Sequence, residues 1–406
     1  MKSLKELLHH ILYLDNTGDR IRLANIPRYY FMGDLLDTIM ELYNDGGVVS
    51  NHDITVVATS HEGYQQAMLK GFHTVYLYDL LDFAESERDG IHYVYYYLKG
   101  QSFTPNYRVI LESIDGIPGD LVKKLYDSLH PSAIMIVMYD GNIPKRYNSP
   151  DDAFLIKNMN PYYLEKIKSN KALMDSNINN LLNKIRNKST KIEEVLDETK
   201  SGFINMRKID TIRLSEIIDL SSVIITPHIL LVKNLNNQIR EYINITGVNK
   251  TASHLPVTGE PMITHDVAEC KNIENGEIYC LPRGFRFIAK RTNVTTSGVC
   301  EIWFDYLRPD GILCECLINC SVSYLEFLSY GETTRLHTTG SYKVFYGYVV
   351  PDFLSTDNSY DRGTVIYDYT LSNTKDDLYT SIVPIKKDLT IYYSLDKPIT
   401  DKIMHY

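Results

Sequence analysis

The sequence predicts a multidomain chain with an α/β front half, a helical, coiled-coil-like middle and an all-β back half. The front half carries a Rossmann-like parallel sheet and the back half an antiparallel β-sandwich. Three observations predict this. Apolar runs alternate with amphipathic stretches up to about residue 150, apolar residues recur at steps of three and four between residues 161 and 199, and short β-branched and aromatic runs dominate after residue 250. Boundaries fall at 1–150, 151–249 and 250–406. At 406 residues the chain exceeds one ordinary core, and 44% hydrophobic with 23% charged residues is the composition of a folded globular protein.

In the front half, Asp53 to Ala58 reads as a buried strand, Gly63 to Lys70 as a helix and Thr74 to Tyr78 as the next strand. Tyr107 to Leu111 is a third strand, Pro118 to Leu129 a helix and Ala133 to Tyr139 a fourth strand, with a helix at Gly33 to Tyr43 opening the series. Strand, helix, strand with short joints is the βαβ pattern of a parallel sheet covered by helices. Ligands of such sheets sit beyond the carboxyl ends of the strands. Ser60, His61 and Glu62 follow the first strand, Asp79 and Asp82 the second, Glu112 and Asp115 the third, and Asp140 the fourth. Hard oxygen donors of this kind suit a divalent ion or ribose hydroxyls, so Asp79, Glu112, Asp115 and Asp140 are ligand or metal candidates and His61 and Glu62 acid–base candidates. The same positions also call for helix caps and turn formers, and that reading stands beside the first.

Phosphate cradles place glycines between a strand end and a helix start, and neither GxGxxG nor GxxxxGK[ST] occurs in the chain. In layout the sheet is similar to that of a methyltransferase, with Leu129-His130-Pro131-Ser132-Ala133-Ile134 standing like the turn before its fifth strand, although a glycine-rich first loop is missing. Gly33-Asp34-Leu35-Leu36-Asp37 followed by Ser60-His61-Glu62 resembles fragments of metallophosphatase motifs, but such enzymes need further histidine and aspartate ligands at each metal, and no Asn precedes His61.

The middle opens at Pro161, whose missing N–H is harmless at a helix start. Leu164, Ile167, Met174, Ile178, Leu181, Ile185, Ile192 and Val195 then hold a heptad seam, interrupted by Lys171 and Lys188. Such a seam faces either a sister chain, as a dimer or trimer, or the chain's own core. Thr226-Pro227 starts a second helix that Gly247 ends.

In the back half, runs such as Val299 to Leu307 and Ile312 to Asn319 flank Pro309-Asp310-Gly311, a hairpin turn. All six cysteines fall here; paired disulfides are one reading, and buried free thiols are the other and the favoured one in a reducing compartment. The first residues lack the apolar run of a secretory leader and no stretch has the length of a bilayer span, so synthesis in the cytoplasm is expected.

The net charge of -9 argues against a nucleic-acid partner. The 32 tyrosines suit contact surfaces. Together these point to a non-enzymatic structural or attachment protein, homo-oligomeric through the central helix, with a tyrosine-rich β domain binding a protein or surface receptor. That plan resembles viral and phage appendage proteins and suggests incorporation in a virion. The alternative is a Rossmann-like, methyltransferase-like transferase or a metal-assisted hydrolase working at the front strand ends. No cofactor is specified by the sequence.

Overall fold

The computed structural model describes residues 4–14, 20–26, 32–47, 49–88, 91–98, 108–113, 117, 119–140, 160–163, 175–187, 189–197, 205–209, 212–218, 222–245, 255–265, 267–321, 344–355, 358–371, 374–396, 398–399 and 403–404. Its contacts divide the chain into two units. The first holds most residues up to 173, and the second most residues from 174 onward.

Unit 1 is a six-stranded parallel sheet. Its strands are β1 (Ile21–Asn25), β2 (Ile54–Ala58), β3 (His73–Tyr76), β6 (Arg108–Leu111), β7 (Ile134–Tyr139) and β8 (Asn160–Tyr163), in the order β3-β2-β6-β7-β1-β8. Between them in sequence, β4 (Leu81–Arg88) and β5 (Ile91–Leu98) form a two-stranded sheet of their own. Val57 lies level with Val75 on one side and Leu111 on the other, so β2 is buried along its whole length, as its unbroken apolar run requires. Helices α1 (Leu4–His9), α2 (Met32–Asn44), α3 (His61–Leu69) and α4 (Gly119–Ser128) complete the unit. The α/β front half with its parallel sheet is therefore present.

Two of its strands escaped the sequence. β1 carries a buried Arg22, whose guanidinium donates to the Ile11 carbonyl, and that charge breaks the apolar run by which a central strand is recognised. β8 contains Pro161, read above as the start of a helix. It is an edge strand, where a residue without an N–H is tolerated.

The single helix expected from Pro161 to Thr199 is corrected accordingly. Leu164, Ile167 and Met174 lie outside the described residues. Ile178, Leu181 and Ile185 lie on an eleven-residue helix, α5 (Ser176–Arg186), and Ile192 and Val195 on a single turn, α6 (Ile192–Val195). Asp175 caps α5 by accepting from the Asn177 and Ile178 amides at 2.8 and 3.4 Å. These five seam residues are buried, and α5 packs on elements of its own chain. Heptad spacing marks a narrow apolar stripe but not what covers it, and here the stripe is covered from within.

Unit 2 contains a second parallel sheet. It is built from β9 (Met206–Lys208), β11 (Val223–Thr226), β20 (Val349–Pro351), β21 (Tyr360–Asp368) and β22 (Ile385–Ser394), in the order β20-β11-β21-β22-β9. The last three of these were expected to be antiparallel members of a β-sandwich, and they run parallel instead. After α7 (Leu214–Ile217), helix α8 (Ile229–Ile245) follows β11. α9 (Asp352–Ser355) follows β20, and α10 (Lys375–Ile382) links β21 to β22 and receives α5.

Antiparallel pairing holds for the segment between. β12 (Pro261–Thr264), β15 (Arg286–Ile288) and β19 (Val344–Tyr346) form one sheet. β13 (Ala268–Asn272), β14 (Ile278–Leu281), β16 (Arg291–Val294), β17 (Val299–Leu307) and β18 (Leu313–Ser321) form the other, in the order β14-β13-β18-β17-β16. The β17–β18 turn closes with Gly311 at φ 84° and the Arg308 amide donating to Ile312 at 2.8 Å. Two short strands, β10 (Ile212–Arg213) and β23 (Ile403–Met404), pair separately. The core between the antiparallel sheets is aromatic, with Phe287 and Phe304 ring centroids 4.3 Å apart and Phe285 edge-on to Tyr306 at 5.5 Å. No helix among the described residues is long and apolar enough to cross a membrane.

Candidate functional sites

At the strand ends of unit 1 the sequence candidates separate. Glu112 follows β6 and is drawn into the turn after β2. Its Oε2 accepts from the Thr59 and Ser60 amides at 2.7 and 2.9 Å, and its Oε1 from the Ser60 hydroxyl at 2.7 Å. Ser60 in turn caps α3 by accepting from the Gly63 amide at 2.9 Å. A carboxylate thus fills the place at a helix start where an anionic ligand would bind. Its grip is close enough that a Cβ at Gly63 would run into it.

His61 opens α3 and shares a hydrogen bond of 3.1 Å between its Nδ1 and the Tyr76 hydroxyl. Glu62 is half-buried beside it, Asp79 is exposed in the turn after β3, and Asp140 is buried at the end of β7. Asp115 lies outside the described residues. Among the described residues no group of three or more His, Cys, Asp or Glu side chains is placed to hold a metal ion.

Gly63→Ala is therefore expected to cost about 1–3 kcal/mol by forcing a rotamer change or leaving the Thr59 and Ser60 amides unsatisfied. Glu112→Ala combined with Gly63→Ala should cost less than the two single changes added together, because both strike one contact. Urea denaturation of the three variants measures this, and strict additivity would refute the contact.

The strand ends of unit 2 gather a second polar group that the sequence reading passed over. Thr226, Asp352, Ser355, Asp368 and Ser394 are fully buried, and His228 nearly so. His228 Nε2 accepts from the Asp368 amide at 3.0 Å, which fixes that nitrogen as an acceptor. Asp368 holds the Thr370 amide at 2.9 Å and hydroxyl at 2.6 Å with one oxygen, and the Ile399 amide at 2.7 Å with the other. These bonds tie the ends of β11 and β21 to the C-terminal stretch. The only signal in the sequence was His228 interrupting an apolar run.

Chemistry open to solvent lies instead on the outer face of the five-stranded antiparallel sheet. β17 alternates strictly, with Cys300, Ile302, Phe304 and Tyr306 inward and Val299, Glu301, Trp303, Asp305 and Leu307 outward. Trp303, the only tryptophan in the chain, stands opposite Arg291 of β16, whose guanidinium lies 4.5 Å from the indole. Glu315 steadies Arg291 at 3.4 Å, Lys290 pairs with Asp305 at 2.9 Å, and Asn293 donates to Glu301 at 2.8 Å. Lys271 and Ile278 are exposed on the neighbouring strands. The face is a flat aromatic and guanidinium surface with cations and carboxylates interspersed.

The six cysteines are buried and unbridged. Cys314 and Cys316 Sγ atoms lie 3.7 Å apart. A hydrogen bond with Cys316 and then burial hold the Cys270 thiol well above its ordinary range, and burial pushes Cys300 up to about 11. With raised values the thiolate is scarce at neutral pH. Native protein is expected to leave all six thiols unmodified by an aromatic disulfide reagent at pH 8, and denatured protein to release six equivalents. Rapid native labelling would contradict this burial.

No known protein family matches the sequence, and no curated protein does. Solved structures align with the chain at low identity. Pif1 helicase from Bacteroides, in complex with ADP-AlF3 and ssDNA, aligns over 100% of this chain and 95% of its own, at 12% identity and a TM-score of 0.48. Pif1 helicase from Candida albicans aligns over 100% and 96%, at 12% identity and a TM-score of 0.46. The large terminase of the thermophilic bacteriophage D6E, in complex with ATP-gamma-S, aligns over 97% and 87%, at 8% identity and a TM-score of 0.27.

Helicases and a terminase are not appendage proteins. The expectation of a non-enzymatic structural or attachment protein, homo-oligomeric and carried in a virion, finds no counterpart among these likenesses and is corrected. The expectation that a nucleic-acid partner is unlikely is withdrawn with it, and among the aligned structures two Pif1 helicases are bound to ssDNA. The physical reason is that a net charge sums the whole surface, while a nucleic acid meets one face of it.

Proposed function

We propose that this chain acts on nucleic acid and binds it in single-stranded form on the outer face of the β14-β13-β18-β17-β16 sheet. The observation that carries the reading is the Arg291–Trp303 pair. Single strands are held without sequence preference by aromatic rings on which bases stack, helped by arginine. An exposed sheet face keeps such a ring flat and fixed. Asn293, Lys271 and Lys290 around it supply donors for phosphate and sugar oxygens. Because Lys290 and Arg291 are already paired with carboxylates, few counterions are released on binding, and stacking carries more of the affinity than charge does.

The reading is one of binding. Glu112 occupies the anion position at the start of α3, and the chain has no glycine-rich phosphate loop, so nucleotide hydrolysis forms no part of it. The test is a titration with oligothymidylate and oligouridylate followed by intrinsic fluorescence, which a single tryptophan makes site-specific. Saturable quenching supports the proposal, and an unchanged emission in the presence of either oligomer at high concentration sinks it.

A further inference from the structure

Trp303 stands in a row that runs straight across its sheet. The ladders place Arg291 level with Trp303, Trp303 with Leu317, Leu317 with Lys271, and Lys271 with Ile278, one residue from each of the five strands. Residues level with one another in neighbouring strands project from the same face. Because Phe304, Cys316, Cys270 and Tyr279 are turned inward, this row belongs to the outside. Arg291, Lys271 and Ile278 are exposed, and Trp303 and Leu317 half-buried. At about 4.8 Å between strands, Arg291 lies about 5 Å to one side of the indole and Lys271 about 10 Å to the other.

The rows on either side carry the opposite charge. Two residues along β17 from Trp303, about 7 Å away, come Glu301 in one direction and Asp305 in the other. Glu301 is level with Asn293 and Asn319, and Asp305 with Glu315. Asn293 donates to Glu301 at 2.8 Å, and Lys290 bridges Asp305 and Glu315 at 2.9 and 3.4 Å, so both rows are held in place.

The two directions open to a bound strand are thus unequal. Along β17 the ring's outward neighbours are carboxylates, and a phosphate over either meets like charge. Across the strands its neighbours are Arg291 and Leu317, with Lys271 next. A nucleic acid strand is a line of phosphates, and it follows the direction in which the cations lie.

We propose that a single strand bound at Trp303 crosses the five β-strands along the row from Arg291 to Ile278, with one base on the indole and a phosphate at Lys271, while the flanking carboxylates exclude duplex. The path rests on the stacking reading of Trp303 and adds its substrate class: a short single-stranded stretch, near the lower end of the about 4–16 nucleotides held by one OB-fold domain. A duplex is turned away because its base faces are closed to the ring and its second backbone would lie over the Glu301 or Asp305 row.

The experiment measures anisotropy of labelled oligothymidylates, from two to about ten nucleotides long, and of a labelled hairpin duplex, with wild type, Lys271→Gln and Glu301→Gln. Trp303 quenching is recorded with the unlabelled oligomers. Lys271 is exposed, and glutamine at position 301 still accepts from Asn293, so both variants keep the fold. Wild-type affinity should rise with length until the row is covered, and the duplex should bind about tenfold more weakly or worse. Lys271→Gln should leave the dinucleotide unchanged, lose severalfold on the longer oligomers and make the logarithmic salt slope shallower by about 1. Glu301→Gln should tighten single-strand binding by about twofold at most, since that carboxylate lies beside the path and not beneath it.

Lys271→Gln equal to wild type at every length, Glu301→Gln about tenfold tighter, or duplex bound as well as single strand each overturns the path, while saturable quenching keeps the stacking reading standing. Emission unchanged by every oligomer overturns that reading and the path with it. Emission that answers to oligolysine and to no oligomer does the same, and gives the face to a basic protein partner.

Discussion

Glu260→Ala is expected to lower the stability of unit 2 by about 3–5 kcal/mol, the usual consequence of stranding one member of a buried ion pair. Arg240 and Glu260 are 8% and 6% exposed, so neither side chain can turn to water when the other is removed. The pair is doubly bonded, Nε to Oε1 at 2.7 Å and Nη2 to Oε2 at 3.3 Å. Its remaining lone pairs are used by the Val257 amide at 2.8 Å and the Tyr348 hydroxyl. The Arg240 guanidinium also lies 3.8 Å from the centre of the Tyr346 ring. Removing the carboxylate leaves a desolvated cation, an unpaired amide and an unpaired phenol together.

Replacing both partners, Arg240→Met with Glu260→Met, should recover a large part of the loss, because no charge is then buried. Denaturant unfolding of the single and double variants gives the answer. A single variant within about 1 kcal/mol of wild type would show that the pair is hydrated and not buried.

Trp303→Ala should weaken single-strand binding roughly ten- to a hundredfold, the range expected when one stacked base loses its platform. Trp303→Phe should retain most of the affinity, since a smaller ring still stacks, and Arg291→Ala should fall between the two. Anisotropy of a labelled oligomer is the measurement, as the alanine variant has no tryptophan left to quench. The logarithmic salt dependence should be shallow, with a slope of roughly -1 to -2, because only one or two phosphates find an unpaired cation. A steep slope with no effect of Trp303→Ala would move the binding surface off this sheet.

How far the fold could be read in the sequence depended on how each strand is buried. β2, β6 and β7 were legible because strands covered on both faces are written as unbroken apolar runs. β1 was not, because Arg22 stands inside it and finds its acceptor in Ile11, a pairing that no local pattern announces. β8 was missed through Pro161, which signals a helix start or an edge strand equally well until its neighbours are known. The seam at Ile178, Leu181 and Ile185 was correctly seen as buried and wrongly given to a sister chain.

The parallel direction of β20, β21 and β22 depended on partners far away in the chain, so a local reading placed them in an antiparallel β-sandwich. At the sites, Glu112 was singled out as a ligand candidate and proves to be a ligand of the backbone itself. The alternation that turns Trp303 outward was fully written in β17, but Arg291 became its companion only through the pairing of β16.

The strand order of unit 2 also bears on how the chain is made. β9 and β11 are synthesised before any lateral neighbour they have in their sheet, for all of these lie between residues 349 and 394. Until that stretch emerges, their backbone amides and carbonyls have no ladder to join, and the nascent polypeptide exposes apolar edges. Newly synthesised copies should therefore depend on chaperone protection, and ribosome-stalled products ending before residue 349 should be degraded or aggregate.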